Sequence, residues 1–135
     1  YLRSGDTAGH ARPKQVHLVG LGRTAPLAVA ARAVAGGEID RVAAETAGFR
    51  FAAVDDYRHP LFLPGAVRYL DLPGFVAAGG NTPLLLLGEP TSRPDDFAKS
   101  LSEMSGLRRI AEPAVDGDDV VAWLLADDLA TAAAD

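Results

Sequence analysis

Residues 15–35 read QVHLVGLGRTAPLAVAARAVA. The apolar run of Val16, Leu18 and Val19 stops at a turn, Gly20-Leu21-Gly22-Arg23-Thr24, and an alanine-rich stretch follows at once. Strand, tight turn and helix in immediate succession form the unit of parallel α/β sheets, which present chemistry at the carboxyl ends of their strands. Pro26 suits the first helical turn, where its missing N–H costs nothing. Gly36-Gly37 ends the helix. The spacing predicts that Leu27, Ala30, Ala31 and Val34 form its buried face.

Working outward, Ile39–Thr46 reads as a second strand, reached by a connection short enough for a βαβ unit. From 47 to 80 the rhythm breaks, with three prolines and no long period. Pro64 and Pro73 are good first-turn residues for short helices there, and an excursion of this kind caps a sheet edge or borders a site. Thr82–Gly88 (TPLLLLG) is a continuous apolar strand, as expected when both faces are buried. Pro94 opens a helix to about Ser105, and Leu107–Ala111 is a shorter strand. A last helix begins over Asp116–Asp119, where carboxylates complement the helix dipole, with Val120, Val121, Leu124, Leu125 and Leu129 as its apolar stripe. Right-handed crossovers then predict a three-layer α/β/α fold on a mostly parallel sheet, from strands 16–20, 39–46, 82–88 and 107–111. Residues 1–14 read as an irregular lead-in, and 15–135 as a single domain with an insertion or cap at about 47–80.

Composition bounds the chemistry. The 135 residues suit one domain with a real core, and 48% hydrophobic against 23% charged residues describes a globular chain. Thirteen Lys and Arg against 18 acids, a net charge of −5, give no electrostatic footprint for nucleic acid. The absence of cysteine excludes disulfides, thiolate nucleophiles and cysteine metal sites. Neither His-x-x-x-His nor Glu-x-x-His spacing occurs, so no metal is expected, and no cofactor. No apolar run approaches the roughly 20 residues of a membrane helix, and the polar YLRSGDTAGHARPK lacks the apolar core of a signal peptide.

Three readings compete at the 20–25 turn. In the nucleophile elbow, G-x-S-x-G, a strained turn holds a serine above the sheet. Here Gly22 stands at the serine position and Thr24 at the second glycine. Sliding the frame to make Thr24 the nucleophile puts Pro26 where a glycine is needed. The second reading is a dinucleotide fingerprint, Gly20-x-Gly22-x-x-Ala25, with Glu45 about 20 residues on as the ribose-binding acid. In the third, the glycines only let strand and helix pack closely. Elsewhere, His10 lies in the lead-in, and His17 reads as a hydrogen-bonded or edge-facing strand residue. His59, before Pro60, is a cap residue that could line a cleft. Glu89 follows the TPLLLLG strand, where the acid of a hydrolytic triad sits. The turn at 112–118, where the triad histidine belongs, holds only acids suited to helix capping.

Two segments, VHLVGLGRTAPLAVAARAVAG and HPLFLPGAVRYLDLPGFVAAGGNTPLLLLGE, carry a resemblance. Over roughly 15–125 the chain resembles the C-terminal half of an α/β-hydrolase of the acetyl xylan esterase-like or dienelactone hydrolase-like group. The resemblance puts Gly22 in the nucleophile's place, Glu89 near the acid's, and Asp116–Asp118 where the histidine loop belongs. With two of three triad roles unfilled, it implies a module without the family's esterase activity. It also implies a larger parent protein, secreted or periplasmic, and a start at Tyr1 rather than Met fits that expectation. Half of such a sheet leaves an apolar edge, so self-association or the remainder of a longer chain is expected to cover it.

Overall fold

The computed structural model describes residues 13–89, 107–110 and 117–126, the segment 107–110 through its backbone pairing. The strands β1 (His17–Gly20), β2 (Arg41–Glu45), β3 (Leu84–Leu87) and β4 (Leu107–Ile110) form one sheet in the order β1-β2-β3-β4. Every neighbouring pair is parallel, with Val19 opposite Ala43, Ala43 opposite Leu85, and Leu85 opposite Arg108. The chain is thus a partial α/β fold. The first three strands are each a little shorter than the runs that predicted them, and Ala111, the last residue of the fourth expected run, lies outside the described residues. All four leucines of β3 are buried, as a continuous apolar strand requires.

Residues of β2 and β3 alternate between two clusters, since successive side chains leave opposite sides of a strand. Val42, Ala44, Leu84 and Leu86 pack with helices α1 (Ala25–Ala35) and α2 (Asp71–Ala78). Ala43, Leu85 and Leu87 pack with Val120, Trp123 and Leu124 of α3 (Gly117–Leu125). Arg41 fastens the end of α3, donating to the carbonyls of Trp123 and Ala126 while its guanidinium lies 5.7 Å from the Trp123 ring centroid.

Two helix faces differ from expectation. On α1 the buried side is Ala25, Pro26, Ala28, Val29 and Arg32, whereas Leu27 is 51% exposed and Val34 87%. In an alanine-rich helix several stripes look apolar, and close approach to the sheet selects the small residues over the large. On α3, Val120 and Leu124 are buried as expected but Val121 and Leu125 are exposed, and Trp123 takes the inward position. The predicted helix at 94–105, Leu129, Asp116, His10 and most of the 1–14 lead-in lie outside the described residues.

The 47–80 segment is the crossover from β2 to β3. It is built of 3-10 turns at Phe51–Ala53 and Ala66–Tyr69 and then α2. Phe49, Phe51 and Phe75 stack edge to face at 5.1 and 5.6 Å, and Phe51, Ala66, Leu72 and Val76 join the core over β2 and β3. Leu70 and Asp71 both hold positive φ, 66° and 59°. The Asp71 carboxylate accepts from the N–H groups of Phe51, Ala52 and Leu72, which ties the first 3-10 turn to the start of α2.

Candidate functional site

At the carboxyl end of β1 the chain must turn sharply into α1, and Gly20 makes the approach possible. A Cβ there would stand 2.6 Å from Ala28 Cβ and 2.7 Å from Ala25 Cα, closer than real contacts allow. Gly22 has a different task. Its φ is +53°, a left-handed value that glycine adopts without strain, and a Cβ would meet nothing within 4 Å. Thr24 closes the turn. Its hydroxyl accepts from Leu21 N–H at 3.0 Å and donates to Leu21 C=O at 2.9 Å. That hydroxyl is committed to backbone and has no base beside it among the described contacts.

Glu89 follows β3 and is buried. Its Oε1 accepts from Thr46 Oγ1 at 2.6 Å and from Arg50 Nη1 at 3.2 Å, and its Oε2 from Arg50 Nη2 at 3.0 Å. A triad acid must hold a histidine N–H. Here the fork of Arg50 spans both oxygens in the bidentate geometry that arginine favours. No short-range pattern marks this trio, because Arg50 and Thr46 lie 39 and 43 positions from Glu89. Only the fold, which sets the ends of β2 and β3 side by side, brings Thr46, Arg50 and Glu89 together.

Neither described histidine, His17 or His59, is joined to this cluster. His59 is exposed, and its Nδ1 accepts from Leu61 N–H at 3.1 Å, bracing its own turn. His17 stands in register with Arg41, and neither of its ring nitrogens has a hydrogen-bond partner among the described residues. Of the two readings of His17, a hydrogen-bonded ring finds no partner among the described residues, while β1, which carries it, is the outer strand of the described sheet. Asp118 lies exposed in the first turn of α3. Among the described residues no three acids or histidines are grouped to hold a metal ion.

For the dinucleotide reading, Ala25 is buried at the start of α1 and Glu45 ends β2, next to β1. Dinucleotides bind where the strand order reverses direction, because two loops then part to open a crevice. The order β1-β2-β3-β4 has no reversal among the described strands. Comparison with protein-family models, with curated proteins and with solved structures gives no match.

Proposed function

We propose that this chain is a catalytically silent α/β-hydrolase-like module, of the acetyl xylan esterase-like or dienelactone hydrolase-like group, with a structural or interaction role. The observation that carries the reading is the turn after β1. It keeps the left-handed backbone and open space of a nucleophile elbow at Gly22, yet offers no attacking group. Three further features support it. A three-layer α/β/α arrangement accounts for α1 and α2 clustering with one set of strand residues and α3 with the alternate set. Glu89 follows β3, near the place of the family's acid, and there it serves as the anchor for Arg50. The third feature is the outer edge of β1, which has no strand beside it among the described residues and is where a partner or the rest of a parent chain would attach.

The rival is an ester hydrolase that uses Thr24. Hydrolysis of p-nitrophenyl acetate separates the two. The silent module gives the same background rate for the wild type and Thr24→Ala, whereas turnover lost in Thr24→Ala would overturn the proposal. For the dinucleotide alternative, Gly20-x-Gly22-x-x-Ala25 with Glu45, saturating NAD is expected to leave the melting temperature unchanged, since only a ligand of the native state raises it.

A further inference from the structure

We propose that the cavity between the carboxyl ends of β1–β3 and the first turns of α3 binds a small organic cation, an ammonium carried on a short apolar chain. The cavity measures about 380 Å³, and its apolar wall includes Val19, Leu21, Leu87, Val120 and Leu124. That volume falls at the small end of the roughly 300–1,000 Å³ typical of small-molecule sites. Glu45 is the ionisable group in the lining. It shares strand parity with Ala43, so its side chain leaves β2 on the α3 side. Glu45 is half-buried, and no hydrogen bond or ion pair to its carboxylate is found among the described residues. Glu89, at the end of the next strand, is held by Arg50. The two neighbouring carboxylates therefore differ in one respect: among the described residues Glu89 has its cation and Glu45 has none.

A carboxylate set in an apolar wall gains from a cation brought to it, because few other groups there solvate the charge. The apolar chain of the ligand would at the same time cover Val19 and Leu21, which are 44% and 59% exposed. The α3 N-terminus also opens on the cavity, at Gly117, and its dipole by itself favours an anion. Asp119, exposed in that first turn, sets a carboxylate against the dipole and so counters its preference for an anion. The site does not depend on silence at Gly22, since its occupancy is read without any turnover.

Calorimetric titration of the whole chain with n-hexylammonium chloride at neutral pH tests the proposal, with n-hexanol and hexanoate as neutral and anionic counterparts. Hexylammonium is expected to bind about tenfold more tightly than hexanol, a difference of about 1.4 kcal/mol, with hexanoate weakest. Glu45→Gln should reduce hexylammonium to the level of hexanol and leave hexanol unchanged. Val121→Lys, an exposed lining position on α3, sets a competing ammonium at the mouth and should weaken hexylammonium with Glu45 intact. Equal binding of the ammonium and the alcohol, a preference that survives Glu45→Gln, or a Val121→Lys variant that binds hexylammonium as the wild type does would each overturn the proposal.

Discussion

Gly22 and Glu89 show how single residues decide what this scaffold can do. A serine at position 22 would find room, since a Cβ there meets nothing within 4 Å, but it would inherit a φ of +53°. Gly22→Ser is therefore expected to fold with a loss of about 1–3 kcal/mol in chemical denaturation. It should stay inactive on p-nitrophenyl acetate, because an unassisted hydroxyl is a weak nucleophile near neutral pH. Measurable turnover in that variant would reveal a base, with His59 the first to replace. At the other strand end, Arg50 and Glu89 form a largely buried pair. Removing only the cation strands a buried carboxylate, so Arg50→Met is expected to cost about 3–5 kcal/mol. Glu89→Gln added to it should restore part of that loss. A double-mutant cycle by urea denaturation checks the sign, and additive losses would rule out the coupling.

Between elements, the fold depends on close approach and on buried cations, of which Arg32 is the more deeply enclosed. Gly20→Ala pushes a methyl into Ala28 and Ala25 and is expected to cost about 1–3 kcal/mol, as overpacking does. Gly37→Ala, where a Cβ meets nothing within 4 Å, should be neutral or stabilise slightly. Arg32 joins α1 to the end of α2 by donating to the carbonyls of Val76, Gly80 and Thr82 at 2.6–2.9 Å. Burial pushes its guanidinium below the ordinary value, and those carbonyls offset the lost water. Arg32→Met leaves three acceptors unpaired and is expected to cost at least about 3 kcal/mol, with faster hydrogen exchange at Gly79 and Gly80 as the local readout. The strand–turn–helix order and the buried β3 were legible because apolar runs bounded by glycine and proline are local signals. The inward face of α1 was not. Arg32 is a charged residue that reads as surface, and the carbonyls that take it inside lie 44 to 50 positions away. The Gly20 approach was legible as one of three readings of the turn. The capture of Glu89 by Arg50 was not, since it exists only once β2 and β3 are paired.

At the scale of the whole molecule, the question is what lies beside β1. Val16 C=O accepts from Asp40 N–H, on the β2 side. Alternation along the strand then turns the peptide groups of Leu18 and Gly20 toward β2 and those of His17 and Val19 away from it. The outward N–H and C=O groups form an unpaired edge among the described residues, with Val19 and Leu21 exposed beside it. Such an edge is a template for another strand. If copies of the chain use it, light scattering over a dilution series will show a mass that rises with concentration. Val19→Pro tests the cause, because it deletes an outward donor while the ladder to β2 stays intact, the one setting in which a strand tolerates proline. The variant is expected to remain monomeric at every concentration, with the circular dichroism of the wild type. A wild type that stays monomeric throughout would end the self-association half of the proposed role and leave the edge to the remainder of a longer chain. An association that persists in Val19→Pro would move the contact away from β1 altogether.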